Sequence, residues 1–211
     1  MKRLRLLLAE DHATVRDALR MLLQTRGNYD VVADVADGAA AVDAVSTLEL
    51  DVAVLDIAMP GLNGLAATRA IKQRRPGLAV VALTRHTEPV YVQELLAAGA
   101  SGYVLKQSPF DTLLNAIAAT ASGGRFVDPA ITGTFSPPPV GTERARRVSD
   151  REMTVLRLAA GGKSNKDIAT ALNIAVKTVE VHKASAMRKL QLEDREAVVK
   201  FAVMNGWLQD S

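Results

Sequence analysis

Short apolar runs recur through the first part of the chain, at Leu4 to Ala9, Val31 to Val35, Val52 to Leu55, Leu78 to Leu83 and Tyr103 to Leu105. Between them the apolar residues fall at helical spacing. Strand alternating with helix predicts an α/β domain: a doubly wound, five-stranded parallel sheet with helices on both faces. In such sheets the ligand crevice lies beyond the carboxyl ends of the strands, where the strand order reverses.

From Ser149 onward the pattern is wholly helical. Ser149 with Glu152 has the spacing of a capping box, and Val155, Leu156 and Ala159 form the apolar stripe of a helix stopped by Gly161-Gly162. Ser164 with Asp167 repeats the device ahead of Ile168, Ala169 and Leu172. A turn at Asn173 leads into a helix from about Val176 to Leu190, and Asp194 opens a last one that Gly206 closes. Four helices with a tight middle turn predict a small all-α helix-turn-helix module.

At about 100° per residue, Val176, Val179, Ala186, Met187 and Leu190 form the packed face of the third helix. Lys177, Val181, Ala184, Ser185 and Arg188 lie opposite, the stripe expected to enter the major groove. Lys183 lies near the apolar stripe, so its stem is expected to pack while its ammonium reaches a phosphate. Thr178 and His182 are further phosphate candidates. Glu180 falls at the groove edge, either accepting from a cytosine amino group or pairing within the helix with Lys183.

The domains divide as 1–122, a linker 123–148, and 149–211. Gly123-Gly124 ends the first domain's last helix, and Ser136-Pro137-Pro138-Pro139 with Gly141-Thr142 cannot build a helix interior or a ladder. Three prolines in a row make a semi-rigid spacer of about 3.1 Å per residue. One helical turn is expected within Asp128 to Phe135. Arg144-Ala145-Arg146-Arg147 reads as a solvated basic run.

The candidate chemistry sits at strand ends. Glu10 and Asp11 follow the first apolar run, Asp56 the third, Thr84 the fourth and Lys106 the fifth. Singly, each has an ordinary explanation: Asp11 as a helix cap, Asp56 as a turn residue, Lys106 as a solvated strand end. Together they make a site. Three crowded carboxylates resist ionising unless positive charge is supplied, and Lys106 with a hard divalent cation such as Mg2+ supplies it. Asp11 and Asp56 are expected as direct ligands, with Glu10 reaching the ion through water. Asp56 is then placed to act as a nucleophile toward a phosphoryl group whose charge the metal and the ammonium stabilise.

Glu10-Asp11-His12, Asp56-Ile57-Ala58-Met59-Pro60-Gly61 with Asn63-Gly64, Thr84, and Gly102-Tyr103-Val104-Leu105-Lys106 resemble the receiver domain of bacterial two-component response regulators. The resemblance implies a flavodoxin-like fold, and a phosphoryl group accepted on Asp56 from a sensor histidine kinase. It also implies that the backbone carbonyl of Ala58 completes the metal shell, that Thr84 binds a phosphoryl oxygen, and that the Tyr103 ring rotates on activation. Arg85 departs from the small residue usual after the hydroxyl position. His12 and His86 are expected to be surface histidines.

Beyond Ser149, the residues Arg151-Glu152, Val155-Leu156, Gly161, Ser164-Asn165-Lys166, Ile168-Ala169, Leu172, Lys177-Thr178-Val179-Glu180-Val181-His182 and Lys189-Leu190 resemble the LuxR-type DNA-binding domain of NarL/FixJ-class regulators. The two halves in this order imply a transcriptional regulator that binds double-stranded promoter DNA and dimerises when phosphorylated. It is then no enzyme with an independent substrate, catalysing only its own phosphoryl transfer and dephosphorylation. The alternative is a phosphate-independent regulator whose first domain serves only for dimerisation.

Composition narrows the classes. The 211 residues carry no Cys, which excludes a disulfide framework and thiolate metal sites. Met1-Lys2-Arg3-Leu4-Arg5 resembles the start of a signal peptide, but the apolar run stops at Glu10 and is too short. A cytoplasmic protein is expected. The net charge of +3 permits nucleic-acid binding without requiring it.

Overall fold

The computed structural model describes residues 3–26, 29–132 and 148–208. The described residues form two compact units, one on each side of the stretch 133–147. The Ser136–Pro139 spacer and the Arg144–Arg147 basic run lie outside the described residues.

In the first unit, β1 (Leu4–Ala9), β2 (Tyr29–Val35), β3 (Val52–Asp56), β4 (Ala79–Thr84), β5 (Gly102–Leu105) and β6 (Phe126–Val127) form one parallel sheet in the order β2-β1-β3-β4-β5-β6. Helices α1 (Ala13–Arg26), α2 (Gly38–Thr47), α3 (Gly64–Arg74), α4 (Pro89–Ala97) and α5 (Phe110–Ala121) connect the strands, and a single turn, α6 (Pro129–Thr132), follows β6. Alternate strand residues serve opposite faces. Leu6, Leu8, Val54 and Val81 pack with Leu23, Leu113 and Ile117 on one side. Leu7, Ala9, Leu55 and Val80 pack with Val42, Val45 and Ile71 on the other.

The sixth strand corrects the expectation of five and of a linker beginning at 123. Phe126 and Val127 pair with Gly102 and Tyr103. The buried Asp128 then accepts from the Leu105 N–H and the Ala130 N–H, both at 3.0 Å. That carboxylate stitches the chain after α5 onto β5, so the first unit runs on through α6.

Strand order reverses between β1 and β3, which places the crevice beyond Ala9 and Asp56. Gly64 fixes the next step, because a Cβ there would meet the Asp56 backbone oxygen at 2.2 Å. Only glycine lets α3 start that close to β3.

The second unit holds α7 (Asp150–Ala160), α8 (Asn165–Leu172), α9 (Val176–Lys189) and α10 (Arg195–Met204). Both capping boxes form, and Asn173 turns the chain in the left-handed region at φ 51°. Val155, Ile168, Ala169 and Val179 make the core between the first three helices. No helix among the described residues is long and apolar enough to cross a membrane.

Candidate functional site

Three strand ends converge on one ammonium. The Lys106 Nζ, just past β5, lies 2.7 Å from Glu10 Oε2 and 2.8 Å from Asp56 Oδ2. Both carboxylates are buried, Asp56 with 2% of its surface exposed. The other Asp56 oxygen accepts from the Ala58 N–H at 3.2 Å, and Ala58 itself is exposed. Asp11 stands at the opening, its Oδ1 2.7 Å from His12 Nδ1. His12 Nδ1 is also 3.4 Å from Glu10 Oε1, so Glu10, Asp11 and His12 present ligand atoms within 4.8 Å of one another. Sequence reasoning set His12 aside as a surface residue, and the structure turns its exposed ring onto the acidic pair. Asp56 is gathered by Lys106 rather than into that cluster.

Thr84, also buried, ends β4, and its Oγ1 accepts from the His86 N–H at 3.1 Å. The fully buried Tyr103 donates its hydroxyl to the His86 backbone oxygen at 2.8 Å. Burial pushes the Tyr103 phenol well above its ordinary range, Glu88 and Tyr91 add to the push, and a hydrogen bond with Thr84 opposes it. The phenol is therefore a donor at all ordinary pH. The His86 ring lies 4.3 Å from the Tyr91 ring, a contact that sequence reasoning missed because residues 86 and 91 face one another only once α4 forms. Arg85 is exposed beside Thr84.

On α9, Lys177, Thr178, Glu180, Val181, Ala184 and Arg188 are exposed, while His182, Lys183 and Ser185 are half-buried. Three expectations change. Val176 is 38% exposed rather than packed, because it begins the helix beyond the reach of the core. Ser185 is turned toward the Glu152 carboxylate and leaves the outer stripe. Glu180 pairs with Lys177 at 3.3 Å instead of Lys183, which lines a separate notch with Lys163, Met187 and Arg195.

Glu152 anchors the helix from inside. Its carboxylate lies 2.8 and 3.0 Å from Lys189 Nζ, joining the start of α7 to the end of α9. Burial works against its ionisation, but hydrogen bonds from Lys189, Ser185 and Ser149 outweigh that effect and bring the carboxyl down to about 2.

The family model of the response regulator receiver domain matches residues 6–118, and that of the luxR family of bacterial regulatory proteins matches residues 147–202. The chain is 35% identical to the oxygen regulatory protein NreC of Staphylococcus epidermidis, covering 98% of this chain and 100% of that one. It is 32% identical to the transcriptional regulatory protein DegU of Brevibacillus brevis, over 98% and 96%. This chain belongs to the NarL/FixJ class of response regulators.

This response regulator also shares its fold with solved structures of RcsB. One, from Salmonella enterica serovar Typhimurium bound to promoter rprA with phosphomimetic BeF3-, aligns with a TM-score of 0.76 at 29% identity over 96% of this chain and 100% of that one. Another holds two RcsB dimers on two parallel DNAs, with a TM-score of 0.76 at 29% identity over 96% and 98%. The response regulator is a two-component transcriptional regulator with a LuxR-type DNA-binding domain.

Proposed function

We propose that a sensor histidine kinase phosphorylates Asp56 and that the resulting aspartyl phosphate controls promoter binding through α9. The observation that carries this reading is the placement of one ammonium, Lys106, between two buried carboxylates at the switch point of the sheet. An Asp56 oxygen attacks the phosphorus of a phosphohistidine. The new P–O bond forms as the P–N bond breaks, and the departing imidazole takes up a proton. Lys106 then stays with the phosphoryl oxygens, and the hydroxyl of Thr84, the residue after the β4 partner of Asp56, bonds one of them.

Glu10, Asp11 and Asp56 fit Mg2+, being hard oxygen donors whose three charges exceed the one that Lys106 brings. When bound, the ion supplies charge for the phosphoryl oxygens. Glu10, Asp11, Asp56 and the Ala58 carbonyl would hold it.

Drawing Thr84 toward a phosphoryl oxygen pulls on the His86 N–H, and so on the carbonyl that holds Tyr103. The phosphorylated first domain dimerises and so places two recognition helices on two half-sites. RcsB dimers bound to DNA, and RcsB bound to promoter DNA in the presence of phosphomimetic BeF3-, support this reading. Lys177, Val181, Ala184 and Arg188 form the groove-facing stripe, with Thr178 and His182 at phosphates. The domains are a receiver through α6, a linker over the stretch 133–147, and the DNA-binding domain beyond it, all cytoplasmic. Incubation with a phosphorylated histidine kinase and Mg2+ tests the chemistry: label enters the chain and is absent from Asp56→Asn.

A further inference from the structure

We propose that Arg16 is a positioning residue for the divalent cation: its guanidinium fixes the peptide plane between Glu10 and Asp11 and so aims both carboxylates into the crevice. The inference rests on the reading of that acidic pair as the Mg2+ pocket and deepens it by naming what holds the pair in place.

Arg16 ends the first turn of α1 and is half-buried. Its backbone N–H donates to the His12 oxygen at 2.9 Å, as a helix start requires. Its side chain doubles back, and Nη1 donates to the Glu10 backbone oxygen at 2.6 Å. A guanidinium is charged at every ordinary pH, and a charged donor on a peptide oxygen makes a short, strong bond. Arg20, one turn further along α1, pairs with the carboxylates of Asp17 and Asp34. Arg16 takes part in no ion pair among the described residues, so the Glu10 oxygen is the contact that its guanidinium makes.

The place of that oxygen gives the contact its consequence. The Glu10 N–H still donates to the neighbouring strand, to the Val35 oxygen at 3.1 Å. The peptide unit that follows is planar and carries Glu10 on one side and Asp11 on the other. Turning that plane changes ψ of Glu10 and φ of Asp11 together, and swings one carboxylate relative to the other. The sheet holds the nitrogen of Glu10, and Arg16 holds its oxygen.

Asp11 is also held from the solvent side, its Oδ1 2.7 Å from Nδ1 of the exposed His12. A cation shared by Glu10, Asp11 and Asp56 has to draw Asp11 off that ring. A backbone already fixed leaves only the side chain to turn, which lowers the ordering that binding requires.

Charge alone would have the opposite sign. A cation beside three carboxylates competes with the metal, so removing an arginine that acted only through its charge would tighten Mg2+. Removing one that orients the ligands loosens it, since groups one bond behind metal ligands typically contribute about 10–100-fold to affinity.

Calorimetric titration of Mg2+ into the full-length protein separates the two. Arg16→Met keeps the stem and removes the donor, and its Mg2+ affinity should fall about tenfold. Arg16→Gln, too short to reach the Glu10 oxygen, should show the same loss and carries the test if the methionine variant does not fold. Arg20→Met removes a charge from the same helix without touching the Glu10 oxygen and should not loosen Mg2+. Label uptake from a phosphorylated histidine kinase should need about tenfold more Mg2+ in the Arg16 variants, yet reach the wild-type maximal rate, because Arg16 contacts neither Asp56 nor the phosphoryl group. Mg2+ binding that is unchanged or tighter in the Arg16 variants overturns the inference, as does equal loosening in Arg20→Met or a maximal rate that stays low at saturating Mg2+. A wild-type protein that binds no Mg2+ would instead remove the cation pocket beneath it.

Discussion

Tyr103 donates its hydroxyl across 2.8 Å to the backbone oxygen of His86. The N–H of the same histidine is bound to Thr84 Oγ1, so one backbone residue is held from β4 and from β5. A hydroxyl recruited to phosphate therefore cannot move without disturbing the tether on the aromatic ring.

Tyr103→Phe removes that tether and keeps the ring. Stability should fall by about 1 kcal/mol, the net worth of one hydrogen bond. Asp56 should still take up phosphate, while the gain in DNA affinity on phosphorylation should shrink severalfold. Label uptake and DNA titration with and without phosphate on the same preparation check both halves.

Lys106 compensates two carboxylates of which 1% and 2% is exposed. Lys106→Met leaves them facing one another unpaired, a loss expected to cost roughly 3–5 kcal/mol. Asp56→Asn should cost much less, and Mg2+ should restore part of the stability of Lys106→Met. Urea midpoints measured with and without Mg2+ decide; no stabilisation of Lys106→Met by the ion would count against the acidic pair as a cation site.

In the second unit the Glu152 carboxyl is held down from its ordinary 4.5 to about 2. A depressed carboxyl contributes stability that is fully present above 4.5 and is lost as the pH falls toward 2. Solvent beside the pair screens part of that gain, so the loss over the window amounts to about 1–2 kcal/mol. Trp207 is the only tryptophan and packs against Phe201 at 5.4 Å and beneath Arg157 at 5.0 Å, so its fluorescence reports this unit within the whole chain. Denaturant midpoints followed at Trp207 should drop between pH 4.5 and 2 in wild type and much less in Glu152→Gln.

The strand ends were legible in the sequence because apolar runs and their polar stops mark both the sheet and its crevice. Glu10, Asp56 and Lys106 meet as expected on that ground. What escaped was short or lateral. Phe126–Val127 is two residues, too few for any periodicity, and the Leu105 N–H that donates to the Asp128 carboxylate lies far off in sequence. His12 carries no metal-ligand spacing, and only the turn after β1 brings it to Asp11. The 100° arithmetic placed most of α9 correctly, but it knows nothing of neighbouring helices. Val176 overhangs the core, and Ser185 is drawn to Glu152 on α7.

Arg188 and Lys177 should contribute unequally to salt dependence. Lys177 is partly neutralised by Glu180, while Arg188 is exposed with no carboxylate partner among the ion pairs of the described residues. Each phosphate contact contributes about 0.9 to the slope of log affinity against log salt concentration. Arg188→Ala should flatten the slope by close to that amount and Lys177→Ala by less, across specific and nonspecific duplexes alike. Equal slopes in both variants and wild type would contradict the assigned face.

The central claim is that charge chemistry at Asp56 governs the affinity of α9 for DNA. It is tested most directly by titrating the full chain onto one duplex that it enriches from a random pool, with and without BeF3- and Mg2+, in wild type and Asp56→Asn. The mimic should tighten binding at least tenfold in wild type and leave Asp56→Asn unchanged. Affinity that ignores the mimic in wild type, or responds equally in both proteins, would contradict it.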